Sequence, residues 1–453
     1  MSKAKPKPRG TACQNVATVS YQHNGKHLTN QAGMMPVLSF LKAFGLLTLL
    51  AQFVVLKRGP QACYSLAEAV RFVWIGLLGG ARSLDQAGVL WSDGVLARLG
   101  GWRWVPDAAT VGRIFRCVGQ AQIEQLKRFN HAARQRIWCR GGRAGRTRIG
   151  YQRRIVVDVD STAKTVYGQQ EGAVKGYNTH KRGGKCYQAL LAFCAETKEI
   201  LQGWLRPGNT YTSAGIVQFM TELLTQLPGG MRVFFRADSG FFSGDLLDFL
   251  EAGGHGYLIK VKLKNLTNLL AGQTWQPIPG QPGWEQCEFD YQAGSWSRAR
   301  RFKAVRVVKE TKIGEQQVLF TALEYEYFCY VTSEAIGPWE THKQYGQRAT
   351  SETWIEEAKN QMGLGHIKTK RFLANAALFQ CAILAYNTLR WMALLSGNKE
   401  LRRWEPKTVR MFLIRVAGQL LTGGRQLKLK LPDTHLHPSI WRDWLALGQQ
   451  TWP

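Results

Sequence analysis

Acidic residues are scarce in this sequence. Only 31 Asp and Glu accompany 60 Lys and Arg among 453 residues, so the formal net charge is +29 and the pI about 10.0. A surplus of this size excludes an ordinary near-neutral surface and indicates a polyanionic partner. Nucleic acid is the first candidate for that partner, and an anionic membrane surface is the second.

Cysteine pairs are also missing. The nine cysteines are an odd number, they are scattered, and none forms a Cys-x-x-Cys pair. We therefore predict neither a zinc site nor a disulfide framework. The cysteines are expected to act as small apolar residues in a reducing cytosol. The basic N-terminus runs into polar sequence and not into a secretory signal.

Two apolar runs approach membrane-spanning length, and both are interrupted. The run from 34 to 56 contains Pro36, Lys42 and Gln52, and a similar run at 65–78 is also interrupted by charges. Charged interruptions are costly in a bilayer. We therefore predict buried amphipathic helices and no membrane partner, with a spanning helix as the alternative.

Enough apolar sequence is present for a sizeable core. Hydrophobic residues make up 45% and aromatic residues 11%, which excludes disorder over most of the length. From 151 to 264, β-branched runs alternate with helical patterns, which predicts a mixed α/β core. Residues 265–335 alternate like antiparallel strands and show no helical periodicity. Helical patterns return at 336–395 and, with many basic residues, at 396–453.

The N-terminal third is predicted to be helical and to bind DNA. Residues 1–30 are polar and basic and are expected to form a flexible arm, followed by a helical region with a basic linker over 31–150. A short helix at 106–116 would present Arg113 and Arg116 to solvent. A recognition helix has this pattern, and so has any basic surface helix.

A run of positive charge without any acid follows this helix. Between Lys127 and Arg154 there are ten Lys or Arg and no Asp or Glu. The Gly-rich middle of the run, from 140 to 148, is predicted to be non-helical. Phosphate binding is favoured over a solvated linker because no acidic residue is interspersed. The expected phosphate contacts are Arg140, Arg143, Arg146 and Arg148.

Two acids end predicted buried strands of the core. Asp160 and Asp238 stand where open α/β sheets place their sites, although a lone Asp at such a position more often caps a turn. Asp158 shares a strand face with Asp160 and is either a further ligand or a structural acid. Arg236 shares a face with Asp238 and is expected to steady that acid.

One predicted helix, from about 340 to 362, carries a third carboxylate. Tyr345, Arg348, Glu352 and Lys359 are spaced by three, four and seven residues, which places them within an arc of about 60° on a single helix. Such a face delivers an acid to a metal while its neighbours clamp phosphate oxygens. Glu356 lies on the same arc and is an alternative carboxylate. A surface helix with salt bridges is the plainer interpretation.

These spacings carry a family resemblance. Tyr-x2-Arg-x3-Glu-x6-Lys resembles the signature of a large group of DDE-type transposases from bacterial insertion sequences. The Asp-Ser-Thr at 160–162 and the segments 167–178, 236–242 and 257–260 resemble the same group, in the same order. The resemblance covers about 150 to 390 and is weaker before and after.

The resemblance implies an RNase H-like mixed-sheet core, α/β in class, with a catalytic triad. The triad positions in this sequence are Asp160, Asp238 and Glu352. The core would comprise 151–264 and 336–395, interrupted by an antiparallel β insertion domain at 265–335, with helical N-terminal and C-terminal regions. Members with such an insertion often form DNA hairpins with help from a Trp, and no motif selects Trp284 or Trp296 for that role.

The implied activity is transposition by DNA cleavage and strand transfer. Three carboxylates without His or Cys form an oxygen-only site, which suits two Mg²⁺ (or Mn²⁺) ions and not zinc. Tyr345, Arg348 and Lys359 would hold phosphates of double-stranded DNA at the transposon ends.

The resemblance also implies partners and place. A homodimer on DNA, the cut-and-paste pathway and a cytoplasmic, nucleoid-associated bacterial protein are expected. Two alternatives stay open at this point, which are a catalytically silent or repurposed DNA-binding protein and a metal-dependent nuclease of the same fold.

Overall fold

Strands and helices alternate through the middle of the chain, with helices before and after. The computed structural model of the protein describes residues 20–178, 181–309, 324–365, 369–424 and 426–453. The predicted arm lies outside the described residues up to position 19.

The strands are β1 (Leu28–Thr29), β2 (Arg154–Thr165), β3 (Val174–Lys175), β4 (Lys185–Cys194), β5 (Ile200–Pro207), β6 (Arg232–Ala237), β7 (Gly256–Lys260), β8 (Gln276–Pro277), β9 (Trp284–Tyr291), β10 (Arg300–Val308), β11 (Tyr325–Thr332), β12 (Gly418–Gly423) and β13 (Gln426–Lys430). The helices are α1 (Met34–Ala43), α2 (Leu46–Phe53), α3 (Leu66–Leu78), α4 (Leu84–Trp91), α5 (Gly94–Leu99), α6 (Ala108–Arg116), α7 (Gln120–Arg143), α8 (Ile216–Leu224), α9 (Gly244–Ala252), α10 (Leu266–Ala271), α11 (Pro338–Gly346), α12 (Ala349–Gln361), α13 (Phe372–Leu395), α14 (Pro406–Val409) and α15 (Pro438–Gln449).

A ten-stranded mixed sheet forms the centre and confirms the predicted mixed α/β class. Its order is β3-β4-β2-β6-β7-β11-β10-β9-β8, and β5 pairs with β4 outside this path. β2, β6 and β7 are parallel neighbours, whereas the flanking strands are antiparallel. The central parallel strands are nearly continuous apolar runs because both faces of the sheet are covered.

The strands of residues 265–335 extend this central sheet. β11 pairs with β7 in antiparallel fashion, and β10, β9 and β8 follow outward. The segment also contains the short helix α10, which the sequence pattern did not predict. The prediction that this segment contains no helix is therefore wrong. Six residues are too few to show a helical periodicity in the sequence.

β2 is longer than predicted and does not end at Asp160. Its pairing with β6 stops at Val159, but its antiparallel pairing with β4 continues to Thr165. The polar Asp-Ser-Thr indicated a turn, whereas β4 supplies backbone hydrogen bonds that keep these residues extended. Asp160 therefore lies inside a strand, one residue beyond the end of its parallel pairing.

Helix α7 includes the first part of the stretch 140–148 that we predicted to be non-helical. It continues to Arg143, whereas 144–148 is non-helical as predicted. A side chain at Gly141 would meet Leu395 at 2.5 Å, and one at Gly142 would meet Tyr151 at 2.4 Å. The two glycines thus permit close packing of the helix, and close packing outweighs their low helix propensity.

The predicted helix at 340–362 is two helices. α11 ends at Gly346, α12 begins at Ala349, and Arg348 lies between them. Its backbone N–H bonds Tyr345 O at 2.9 Å, an i to i+3 turn that interrupts the α-helical ladder. The prediction of one continuous helix is therefore wrong, and of the four residues only Glu352 and Lys359 share α12.

The C-terminal region 396–453 was predicted to be helical and also contains a β-hairpin. β12 and β13 pair across Gly423-Gly424, and β1 adds to β12. The alternation of Leu and Lys at 427–430 has the period of a strand. Residues 28 and 29, placed in the flexible arm, are thus strand residues.

Helix α13 is the central buried helix and packs against α7, α3 and β5. Asn387 bonds both the N–H and the carbonyl oxygen of Ile200 at 2.8 Å, which fixes the helix to β5. Among the described residues, α13 alone is long and apolar enough to cross a membrane, and 83% of its most apolar window is buried in the protein. α1 and α2 pass the same test only as a pair bent by 63°.

Candidate active site

Two aspartates lie side by side at the end of the parallel strands. The last pair in register between β2 and β6 is Val159 with Ala237, and Asp160 and Asp238 follow them directly. Asp160 Oδ1 accepts a hydrogen bond from its neighbour Ser161 N at 2.7 Å, and Asp238 Oδ1 accepts one from Gly240 N at 3.0 Å. The fold therefore brings both predicted acids to one end of the sheet.

Asp158 and Arg236 form a buried ion pair behind these acids. Arg236 Nε and Nη2 donate to the two carboxylate oxygens of Asp158 at 2.7 and 2.8 Å. The Asp158 side chain is 0% exposed and that of Arg236 is 5% exposed. Burial raises the pKa of Asp158, and the bonds from Arg236 oppose that rise. Arg236 Nη1 also donates to Gln344 O in α11 at 3.2 Å. Arg236 thus steadies Asp158 and α11, and the prediction that it steadies Asp238 is wrong because the strand register pairs it with Asp158.

Arg348 lies between two of the predicted carboxylates. Its Nη2 is 2.9 Å from Asp160 Oδ2 and its Nη1 is 3.9 Å from Glu352 Oε1. The Arg348 side chain is 5% exposed, whereas that of Glu352 is 70% exposed. Burial raises the pKa of Asp160 to about 6 against the opposing charge of Arg348, and the charges of Asp238 and Glu352 add to the rise. Asp238 and Glu352 are thus both close enough to Asp160 to disfavour its charged form.

A groove of about 760 Å³ runs along β2 and α12. Asp160, Glu352 and Lys359 line it, and Lys359 Nζ donates to Thr162 Oγ1 at 3.2 Å. Glu356, the alternative carboxylate, lines the same groove.

Lys164 also lines the groove, and sequence reasoning missed it. Its ammonium is buried and donates to Leu364 O, and burial together with the charge of Lys359 lowers its pKa. A signal was present, because Asp160, Thr162 and Lys164 alternate on one face of an extended strand.

Tyr345 joins an aromatic cluster beside the acids. Its ring is 4.8 Å from that of Tyr330, and burial raises its pKa. Trp284 belongs to the same cluster through His342, 5.3 Å between centroids. Trp296 instead is 8% exposed and packs in the core beside Phe242, Tyr291 and Phe302.

The predicted DNA-contacting arginines of the N-terminal region lie outside the groove. Arg113 and Arg116 are exposed on α6, and Arg113 Nη2 donates to Thr110 Oγ1 at 2.7 Å. Arg140 turns inward and donates to Ala43 O at 2.9 Å. The other three expected phosphate contacts of the basic run, Arg143, Arg146 and Arg148, are exposed.

The carboxylates suit a hard divalent cation in chemistry, because all donors are oxygens. In the described part of the chain, however, no three His, Cys, Asp or Glu side chains lie close enough together to hold a metal ion. Arg348 lies beside Asp160, and the Glu352 carboxylate faces solvent. In this conformation the donor atoms are therefore of the type that binds Mg²⁺, but they are not grouped around one point.

The fold and the site together define an α/β protein with a carboxylate site at the ends of two parallel strands. The family model described as Transposase DDE domain group 1 matches residues 12–451, and the chain belongs to this family. Membership implies an enzyme that cleaves and transfers DNA strands, and such enzymes generally depend on divalent metal ions.

A search of curated protein sequences gave no match. Among solved structures, the fold is similar to that of piggyBac transposase in a synaptic complex with hairpin DNA, with a TM-score of 0.40, 13% identity and 81% of each chain covered.

Proposed function

We propose that this protein is the transposase of a bacterial insertion sequence. It binds the terminal inverted repeats of its element, cleaves the DNA at both ends and joins them to target DNA. The observation that carries the proposal is the juxtaposition of Asp160 and Asp238 at the ends of parallel strands, with Glu352 on the same groove. The core is RNase H-like in this proposal, with the domain boundaries predicted from the sequence.

Asp160, Asp238 and Glu352 are the proposed metal ligands. Two Mg²⁺ or Mn²⁺ ions, when bound, supply activation of the attacking oxygen and stabilisation of the leaving oxygen. The buried guanidinium of Arg348 compensates the charge of Asp160. The exposed carboxylate of Glu352 is free to turn towards the two aspartates, since solvent surrounds most of it.

The groove is the proposed binding site of the reacting DNA strand. Lys359 and the largely buried Lys164 line its wall, and Arg348 pairs with Asp160 at its acidic end. Cations placed in this way bind phosphate oxygens of the strand. Tyr345, one ring away from Tyr330, contributes a phenol beside the same acids.

The duplex on either side of the groove would be bound by basic surfaces outside it. Arg113 and Arg116 are exposed for this role, as are three arginines of the basic run. Arg140 contributes through the helix end that it fixes to Ala43. We further propose a homodimer that pairs the two ends, a cut-and-paste pathway and a cytoplasmic location at the nucleoid.

Excision in cells tests the proposal. A plasmid carries a marker between the DNA flanks of this gene, and the protein is supplied in trans as wild type, Asp238→Ala or Asp290→Ala. Asp290 is the matched control, because its side chain is 63% exposed and pairs with Arg301 away from the groove. Excision with wild type and Asp290→Ala, and none with Asp238→Ala, is the expected result. Excision by Asp238→Ala at the wild-type level would overturn the triad.

A strand-transfer assay separates the proposal from its alternatives. A transposase joins cleaved ends to a second DNA molecule, whereas a nuclease of the same fold releases ends and leaves them unjoined. A repurposed DNA-binding protein shifts the flanks in a gel and does neither.

A further inference from the structure

A basin lined by positive charge lies across helix α12 from the groove. Two adjoining cavities of about 280 and 410 Å³ form it and share Glu196, Thr197, Leu394 and Arg402. We call this the cationic basin and define it by six side chains. These are Arg146, Arg148, Lys198, Lys399, Arg402 and Arg403.

Three separate turns of the chain converge to build the cationic basin. The turn after α7 contributes Arg146 and Arg148, and the β4–β5 turn contributes Lys198. The turn after α13 contributes the other three cations. Lys198 Nζ donates to Arg402 O at 3.5 Å, which ties two of the turns together. Residues far apart in sequence thus place like charges next to one another.

The protein leaves most of this positive charge uncompensated. Over the described ranges of the chain, none of the six forms an ion pair with a carboxylate. Glu196 accepts hydrogen bonds from Val156 N at 2.9 Å and Cys194 Sγ at 3.1 Å. Glu357 pairs with the buried Arg390. Glu357 is therefore engaged by Arg390, and Glu196 is the one acid that lines the two cavities. Six cations against this single carboxylate leave an excess of positive charge that an external anion would offset.

The conformation of Lys198 is a second observation. Its φ is +61°, in the left-handed region that favours glycine. Burial and the charges of Arg390, Arg403 and Arg402 also lower its pKa, against the attraction of Glu357. A glycine would remove both the backbone strain and the repulsion. A lysine in this turn is thus unfavourable for folding and suited to binding.

We infer that the cationic basin binds the phosphate backbone of duplex DNA outside the cleavage groove. The inference rests on the proposed function, because it takes DNA as the substrate. Arg146, Arg148, Lys399, Arg402 and Arg403 are exposed around two joined cavities, a spread that fits an extended polyanion better than one phosphate ion.

Helix α12 separates this site from the groove. Glu352, Glu356 and Lys359 on α12 line the groove, whereas Glu357 on the same helix pairs with Arg390, which lines the basin. DNA held in the basin is therefore a stretch of duplex other than the strand that meets the acids. The basin carries no base-specific geometry, so its contribution is the same for any DNA sequence.

The test measures duplex binding as a function of salt. A fluorescent duplex of arbitrary sequence is titrated with the full-length protein in EDTA, so that cleavage plays no part. The double variant Arg148→Ala/Arg402→Ala should reduce the slope of log K against log salt by about 1.8, at about 0.9 per lost phosphate contact, and weaken binding roughly tenfold. Lys198→Gly should weaken binding and raise the melting temperature.

The control is Arg301→Ala. Arg301 is 46% exposed and already pairs with Glu288 and Asp290, so its loss changes the net charge without removing an open cation. It should keep the wild-type slope. A double variant with the wild-type slope, or Lys198→Gly with wild-type affinity, would overturn the inference. If the wild type excises the element but the basin variants bind DNA like wild type, only the inference about the basin fails. If the basin variants show the expected loss of slope but the wild type does not excise the element, only the proposed function fails.

Discussion

Arg348 Nη2 lies 2.9 Å from Asp160 Oδ2, and this ion pair joins the break between α11 and α12 to β2, just beyond the point where its pairing with β6 stops. The sequence pattern assigned Arg348 to a helix face that binds phosphate. The structure places its guanidinium against Asp160, the first acid of the proposed triad, with 5% of the side chain exposed. The residue thus contacts Asp160 and lies buried beside the groove that Asp160 and Glu352 line.

Arg348→Lys tests whether the planar guanidinium is needed. Lysine keeps the charge but cannot contact Asp160 and a phosphate with the same fork of donors. We expect strand cleavage to fall roughly ten- to a hundredfold, as for the loss of one charge-assisted hydrogen bond. Cleavage rates under single-turnover conditions measure this. Arg301→Lys, an exposed arginine on β10, should cleave like wild type, and an unimpaired Arg348→Lys would contradict the assignment.

Asp158→Asn should destabilise the protein without touching the groove. It leaves the buried Arg236 without its counter-charge, which costs about 3–5 kcal/mol in the free energy of unfolding. Chemical denaturation measures the loss. Glu288→Gln is the control, since it breaks a pair whose side chains are 46% and 38% exposed and should cost less than about 1 kcal/mol. Equal losses in the two variants would show that the pair is not structural.

Glu352→Gln and Glu356→Gln decide which carboxylate completes the site. Both line the groove, and only Glu352 lies within 3.9 Å of Arg348. Glu352→Gln should weaken Mn²⁺ binding in the DNA complex by at least about tenfold, whereas Glu356→Gln should leave it unchanged. Electron paramagnetic resonance of bound Mn²⁺ measures both. The reverse result would move the third carboxylate to Glu356.

Acid should remove the contribution of Glu251 to stability. Burial alone would raise its pKa, but hydrogen bonds from Arg300, Tyr257 and Arg298 outweigh burial and lower the pKa to about 2. As the pH falls, Glu251 is therefore protonated in the unfolded chain before it is protonated in the folded protein. Its contribution to the free energy of unfolding is present above pH 4.5 and is lost as the pH falls towards 2. After screening by solvent, we expect about 1–2 kcal/mol.

The pH dependence of unfolding checks this contribution. Glu251→Gln should flatten the stability profile between pH 4.5 and 2 relative to wild type. Glu285→Gln, which removes a carboxylate paired with Arg306 elsewhere in the sheet, controls for the general loss of an acid. A wild-type slope in Glu251→Gln would contradict the prediction.

Local patterns predicted much of the core, because strand periodicity depends on burial. The β-branched run before Asp160 and the apolar run before Asp238 predicted two buried strands, and the register places both acids side by side. The pattern did not predict the continuation of β2 beyond Asp160. That continuation depends on pairing with β4, which is a contact between distant segments.

The remaining errors have similar physical causes. Gly141 indicated a break, yet the packing of Leu395 against it keeps α7 helical. The spacing from Tyr345 to Lys359 indicated one helix. The chain instead leaves the helix at Arg348, where this side chain pairs with Asp160. Lys164 was missed because its role arises only when α12 covers the face of β2.

The most direct test of the account is cleavage and joining of element-end duplexes by purified protein in Mg²⁺. Wild type should nick the ends and join them to a second DNA. Asp160→Asn, Asp238→Asn and Glu352→Gln should each lose both steps by at least about a hundredfold while still shifting the duplex in EDTA. Cleavage at the wild-type rate by any one of the three variants would contradict the claim that these carboxylates form the active site.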